Sequence, residues 1–374
     1  MTNPVYFTAK VATDLSFCNR VEERQAIAHA IDKNQHIVVV APRRYGKTSL
    51  VVNTLNKNHI LYARIDLFCV VYESDICRKV AKGVSTLVRE LTPFSTRSLE
   101  MLAGCFKRAS LAVKAGHVEV RAELDKHTSD PTTQLEDLLE GLEKLAKKQK
   151  KSVVLFFDEF QDVLKTEASN KIQATIRAVA QHSHYVTYLF SGSSRAMLTQ
   201  IFEDKKQPLY MLCKKITLDR IASGHFAEHI ALAFAKRWKK KIAPELIDVL
   251  LLKTECHSYY VNVLCDTLWE QNAPPTADSV EYAWQETISE NKGKIIADLE
   301  GLNTNRLKVL ATIALLHHVK EPNGKDFLDK VALPLSSAQN AIRYLLDYDY
   351  LRETNDGLML VDPAMRDFLV KNNG

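Results

Sequence analysis

The segment Ile37-Val38-Val39-Val40-Ala41-Pro42-Arg43-Arg44-Tyr45-Gly46-Lys47-Thr48-Ser49-Leu50 constrains the fold more than any other. Four branched apolar residues read as a strand buried on both faces. A tight loop follows, then a helix that opens on Gly-Lys-Thr. Together with the strand and helix segments that alternate further along the chain, this succession argues for a parallel sheet with helices on both sides. The spelling is also that of a phosphate-binding loop. In such a loop, backbone N–H groups and the positive end of the new helix wrap phosphates. Gly46 lets the main chain approach them, Lys47 reaches the β- and γ-phosphates, and the Thr48 hydroxyl binds Mg²⁺. Ala41 stands where the first glycine is usual; it is the smallest residue that carries a Cβ. The expected nucleotide contacts are Ala41, Pro42, Arg43, Arg44, Tyr45, Gly46, Lys47, Thr48 and Ser49. The competing reading is a chance Gly-Lys-Thr at a helix start.

Such a loop needs a carboxylate to order the metal and a group to act on water. Ser152-Val153-Val154-Leu155-Phe156-Phe157 is a continuous apolar run, and Asp158-Glu159 follows it. Asp158 sits at the end of a buried strand, where it would hold Mg²⁺ through water. Glu159 is the natural group to orient or deprotonate the attacking water. The alternative is that the pair only caps a helix. The next strand, Tyr185 to Phe190, runs into Ser191-Gly192-Ser193-Ser194. Ser191 or Ser193 would hydrogen-bond the γ-phosphate or the water, unless the segment is a plain polar turn. The expected catalytic set is Lys47, Asp158, Glu159 and Ser193, with Thr48 and Asp158 as the metal set. All lie at carboxyl ends of strands, where ligands bind in such sheets.

Helical spacing marks Val21 to Ile31, Gly46 to Asn56, Ile76 to Glu90, the leucines from Leu135 to Leu145, and Asn170 to Gln181. Ile60 to Leu67 reads as a strand. Residues 93–130 hold no long periodic stretch and suggest an insertion or a long excursion. From about residue 219 the strands stop. Helices are expected at His225–Lys240, Pro244–Lys253, Tyr259–Gln271 and Thr276–Asn291, then at Arg306–His318, Lys325–Val331 and Ser337–Asp347. The turn Asn355-Asp356-Gly357 between apolar runs signals a hairpin. Three helices and a hairpin outline a winged helix. The expected division is a core over 1–218, a helical lid over 219–300 and a winged helix over 301–374.

Hydrophobic residues make up 46% and charged residues 25% of the 374, as in globular proteins. No apolar run nears the ~20 residues needed to span a bilayer, and no secretory signal is apparent. Seven scattered cysteines without a C-x-x-C pair fit a reducing cytoplasm better than a disulfide framework. A net charge of +5 permits an acidic partner without demanding nucleic acid. The basic run Lys236-Arg237-Trp238-Lys239-Lys240-Lys241 reads more simply as a solvated helix end than as a phosphate-backbone contact. The runs of lysine at 147–151 read likewise. From Asn303 onward nine Lys/Arg face nine Asp/Glu, so the winged-helix segment is neutral, whereas a DNA reader is normally basic.

These residues resemble the archaeal-type ATPase family, in the STAND branch of the AAA+ ATPases. The family's opening phrase, an aromatic and a small residue before Gly-Arg-Glu-x-Glu, appears as Phe17-Cys18-Asn19-Arg20-Val21-Glu22-Glu23. Its Gly-Pro-Arg-Arg-x-Gly-Lys-Thr-Ser-Leu appears as Ala41 to Leu50, its Asp-Glu-Phe-Gln as Asp158 to Gln161, and its Gly-Ser pair as Gly192-Ser193. The double arginine and Asp-Glu-Phe-Gln are specific, and the likeness covers most of the chain. It implies an α/β fold: a P-loop NTPase parallel sheet flanked by helices, followed by an all-α lid and a winged-helix domain. It further implies ATP and Mg²⁺ as cofactors, hydrolysis coupled to movement of lid and winged helix, and Arg20 near the adenine.

Two departures stand out. The family's Pro-Leu-Tyr-Gly-Arg is here Pro208-Leu209-Tyr210-Met211-Leu212, so an arginine is missing; Lys214 or Lys215 offers charge without the planar fork. A Gly-x-Pro of the lid is here Cys256-His257-Ser258. Both bear on hydrolysis more than on binding. The expected partners are ATP and an unidentified protein, with a homo-oligomer also open and no membrane. A DNA-binding ATPase resembling origin-recognition proteins is the less favoured alternative, with Gln339, Asn340 and Arg343 on its reading helix. A nucleotide-binding module with little hydrolysis is the third.

Overall fold

The computed structural model describes residues 5–92, 101–106, 110–114, 117–121 and 130–373. Two compact units divide the chain. One comprises Val21–Ala41 and Lys47–Leu218; the other comprises 1–20, Pro42–Gly46 and Asp219–Gly374.

The first unit is an α/β layer structure. Strands β1 (Ile37–Val40), β2 (Leu61–Asp66), β5 (Val153–Asp158), β6 (Val186–Gly192) and β7 (Lys214–Thr217) form one sheet in the order β2-β5-β6-β1-β7. Every pairing in it is parallel. All residues of β1, β5 and β6 are buried, which is why these segments read as unbroken apolar runs rather than alternating ones. The helices are α1 (Val21–Asp32), α2 (Lys47–Lys57), α3 (Glu73–Leu91), α4 (Pro131–Gln149), α5 (Ser169–Ala180) and α6 (Arg195–Glu203). In α4, Leu135, Leu138, Leu139, Leu142 and Leu145 are all buried, as their spacing predicts. Asp130 caps this helix by accepting from Thr132 N–H, with Pro131 at its first position.

Strand β7, a short antiparallel pair and the helices α6 and Pro363–Asn373 have no counterpart in the sequence expectations. Strand β7 is spelled Lys-Lys-Ile-Thr and buries only Ile216. It is an edge strand, and its lysines deter further pairing there. Within 93–130, the described residues include an antiparallel pair, β3 (Ser110–Lys114) with β4 (His117–Arg121). Leu102, Cys105 and Phe106 join the core of this unit. The rest of the expected excursion lies outside the described residues.

The second unit is mostly helical. It holds α7 (Ser223–Trp238), α8 (Pro244–Thr254), α9 (Ser258–Trp269) and α10 (Ala277–Glu300). Helix α10 runs past the expected stop at Asn291, because Ile295, seven residues after Ile288, buries the same stripe. Then come α11 (Thr304–Leu316), α12 (Lys325–Val331), α13 (Leu335–Asp347), the hairpin β8 (Leu351–Thr354) with β9 (Gly357–Leu360), and α14 (Pro363–Asn373). A bridge from Val319 to Leu358 ties the hairpin to the end of α11. Ahead of Val21, Tyr6 and Phe7 are buried, their rings 5.2 and 5.9 Å from that of Trp269. Among the described residues no helix is long and apolar enough to cross a membrane.

Candidate active site

Strand β1 delivers the chain into the loop at Ala41, which is fully buried. Left-handed backbone occurs in the loop at Arg44 (φ 65°) and Gly46 (φ 82°), and Ala41 is outside that region. A Cβ at position 41 therefore costs no backbone strain, which explains why alanine serves there. At Gly46 the space around an added Cβ is empty, so the backbone rather than crowding favours glycine. Lys47 begins α2 and is buried at 6% exposure. Its Nζ donates to the Ala41 carbonyl at 2.9 Å, which folds the ammonium back over the loop.

Asp158 is the hub of the α/β unit's polar cluster, and its side chain is only 2% exposed. Thr48 Oγ1 donates to its Oδ2 at 2.9 Å. Arg64 of β2 approaches the same oxygen, with Nη2 at 2.7 Å and Nε at 3.0 Å. The other oxygen, Oδ1, accepts a short hydrogen bond from Ser191 Oγ and one from the Glu159 N–H at 3.2 Å.

Glu159 adopts left-handed backbone (φ 53°), which turns the chain sharply out of β5. Its Oε2 accepts from Gln161 Nε2 at 2.6 Å, Ser193 Oγ at 2.7 Å and Ser193 N–H at 3.3 Å. Ser193 thus holds the Glu159 carboxylate, and Gln161 holds it from the other side. Gly192 makes this arrangement fit, since a Cβ there would lie 1.9 Å from Gln161 Oε1. Phe160 anchors the turn, buried with its ring 4.6 Å from that of Phe190. The Asp-Glu-Phe-Gln and Gly-Ser motifs are therefore one interlocked piece.

The loop tip, Pro42 to Gly46, belongs to the helical unit. The Arg44 guanidinium lies over the Tyr259 ring, 3.9 Å from its centroid. Tyr45 is buried edge-to-face against His257, with centroids 5.1 Å apart. Arg20, also buried, donates to the carbonyls of Tyr45 and Asp219. Burial, reinforced by the charges of Arg220 and Arg44, pushes the His257 pKa well below the usual histidine value, so the ring is neutral. Beside it, Glu255 pairs with Arg220 at 2.5 Å and with Arg366, and lies 3.4 Å from His317 Nε2.

Three positions where the resembling family has glycine carry other residues here: Asn19, Met211 and Cys256. All three keep left-handed backbone, with φ of 52°, 55° and 55°. The conformation that glycine serves is retained although the glycine is not. Arg177 of α5 secures the turn at Met211 by donating to the carbonyls of Pro208 and Tyr210. Lys215 is engaged with Glu203 at 2.6 Å. Arg64 and Gln161 are site residues that sequence reading gave no role. The signal for Arg64 was a cation inside a strand whose other residues, Asp66 apart, are apolar or aromatic.

No curated protein sequence matches the chain. Residues 297–371 match the family described as "Probable winged helix domain". Among solved structures, a Walker-type ATPase of Pyrococcus abyssi superposes with a TM-score of 0.70 at 16% identity, over 95% of this chain and 96% of that one. The ORC2 protein of Aeropyrum pernix, in its ADPNP–ADP complexes, superposes with a TM-score of 0.60 at 14% identity, over 96% and 95%. At these identities the likeness is one of fold, and it spans nearly the whole of each chain. This chain has the fold of the archaeal Walker-type ATPases, a parallel P-loop sheet with a helical region and a terminal winged helix.

Proposed function

We propose that the chain binds ATP with Mg²⁺, hydrolyses it, and works as a nucleotide-dependent switch of the STAND type. The observation that carries this is one connected polar set at the carboxyl ends of β1, β5 and β6. Thr48, Asp158 and Ser191 join there, next to Glu159 and Ser193. The donor set fits the cofactor. A hydroxyl and a carboxylate are hard oxygen ligands suited to Mg²⁺. Among the described residues no three or more His, Cys, Asp or Glu side chains form a metal-holding group. Mg²⁺ would therefore arrive with the nucleotide phosphates, its usual mode in such sites.

Lys47 would leave the Ala41 carbonyl for the β- and γ-phosphates, while loop amides and the first turn of α2 hold phosphate oxygens. Thr48 would ligate the metal and Asp158 would orient its water shell. Bound Mg²⁺ supplies charge neutralisation as the γ-phosphoryl group transfers. Glu159 would take a proton from, or orient, the attacking water, with Ser193 and Gln161 fixing its carboxylate. Arg20 is the candidate contact to the base.

The core, lid and winged helix would divide near residues 218 and 300. Coupling between nucleotide and lid rests on the loop tip, whose Arg44 and Tyr45 pack on Tyr259 and His257 of the lid. Tyr260, next in α9, hydrogen-bonds Asp362 beside the wing at 2.8 Å, which continues the path. The neutral winged helix favours this internal role, and a protein partner, over DNA. Turnover tests the proposal. Lys47→Ala should abolish ATP binding, and Glu159→Gln should bind ATP yet hydrolyse it about 100-fold more slowly or worse. Wild-type turnover in both variants would refute it.

A further inference from the structure

We propose that Arg64 is a resident counter-cation for Asp158 that must yield the carboxylate to Mg²⁺ and then rests on Asp66. This deepens the ATP·Mg reading and rests on it. An ionised carboxylate offers about four lone-pair directions. Asp158 receives five polar contacts: two Arg64 nitrogens and Thr48 Oγ1 on Oδ2, and Ser191 Oγ and the Glu159 N–H on Oδ1. No direction is left for the water shell of a metal, so a donor has to leave.

The candidates differ in how firmly they are held. Ser191 is fully buried in the central strand β6. The Glu159 N–H is main chain at a fixed turn. Thr48 can ligate a metal through its oxygen while its hydrogen still donates. Arg64 alone sits on the edge strand β2, with its side chain 36% exposed. It also has somewhere to go. Arg64 and Asp66 are two residues apart on one strand and so share a face. Asp66 Oδ2 already lies 3.6 Å from Arg64 Nη2, and its side chain is 51% exposed. In the register of the sheet Asp66 is directly opposite Asp158. The guanidinium therefore lies between two carboxylates, one buried and wanted by the metal, the other open to water.

The consequence is competition. Mg²⁺ binding has to displace a positive charge, so the site accepts the metal only when nucleotide phosphates add their own attraction. The test is calorimetric titration of a non-hydrolysable ATP analogue into the full chain at a series of free Mg²⁺ concentrations. Arg64→Met should lower the half-saturating Mg²⁺ about fivefold, the small end of coupling between ligands sharing a site. Asp66→Asn removes the resting place and should raise it about twofold, as befits a half-exposed ion pair. Asp66 is exposed, so this second variant reports even if Arg64→Met folds poorly. An Arg64→Met protein that needs more Mg²⁺ or the same amount would overturn the proposal, as would an Asp66→Asn protein that needs less or the same. Failure of the wild type to bind the analogue at any Mg²⁺ concentration would instead overturn the ATP reading beneath it.

Discussion

Among the described residues, each unit has a buried carboxylate set against arginine, and the two are built differently. In the α/β unit, Asp158 meets Arg64, a residue of an edge strand with over a third of its side chain in water. In the helical unit, Glu255 meets Arg220 and Arg366, whose side chains are 7% and 13% exposed. Arg220 is further committed to the carbonyls of Glu255 and Val361, at 2.7 and 2.9 Å. Arg366 also grips Asp367. A buried carboxylate held by two buried arginines, each tied to further groups, cannot readily trade partners, so it is architecture. A pair with one member at the surface can be exchanged, and exchange is what the proposed Mg²⁺ role of Asp158 requires.

The sharpest way to break this comparison is to delete each carboxylate. Glu255→Ala strands two buried guanidinium groups and should cost about 3–5 kcal/mol in urea denaturation. Asp158→Asn leaves Arg64 free to turn to water and should cost about 1 kcal/mol. Equal losses would show that the two pairs are alike. Next in size, Gly192→Ala drives a Cβ into Gln161 and should cost about 1–3 kcal/mol. It should also slow turnover by loosening Glu159, while analogue binding holds.

The smallest effect is on pH. His257 has its folded pKa held below the value of about 6.5 that it has unfolded. The unfolded chain then takes up the proton first as pH falls. The stability this buried neutral ring contributes is whole above about pH 6.5 and drains away as pH drops toward the folded value, by at most about 1.4 kcal/mol per pH unit. Melting at pH 7.5 and 5.5 should show that loss, and His257→Phe should flatten it. A variant with an unchanged slope would clear His257 of the effect.

Much of this was legible in the spelling. The buried strands announced themselves because burial on both faces forces an unbroken apolar run. The loop and the acidic pair stood out as short runs of specific residue types, and the fold gathers Thr48, Asp158 and Glu159 at the strand ends. Strand β7 stayed hidden because an edge strand buries one residue in four and satisfies the rest with water. Helix α10 outran its expected end because Ile295, beyond Asn291, buries the stripe that Ile288 belongs to. The left-handed turns at Asn19, Met211 and Cys256 were illegible in principle, since their glycines are gone and only coordinates reveal φ. Likewise, no pattern along the chain could pair Arg64 with Asp158, 94 residues away.

The burial of Tyr6 and Phe7 among lid residues orders events in time. The Tyr6 carbonyl meets His229 across 223 residues of chain. At ~5–20 residues per second of synthesis, the opening segment waits on the order of tens of seconds for the helices that cover it. By then the whole parallel sheet has left the ribosome and has had time to form. The helical unit is thus finished by residues made well before its own helices, after the strands of the α/β unit have been synthesised. Pulse-labelling exchange on nascent chains should protect β1, β5 and β6 before Tyr6 and Phe7; protection in the opposite order would contradict this sequence.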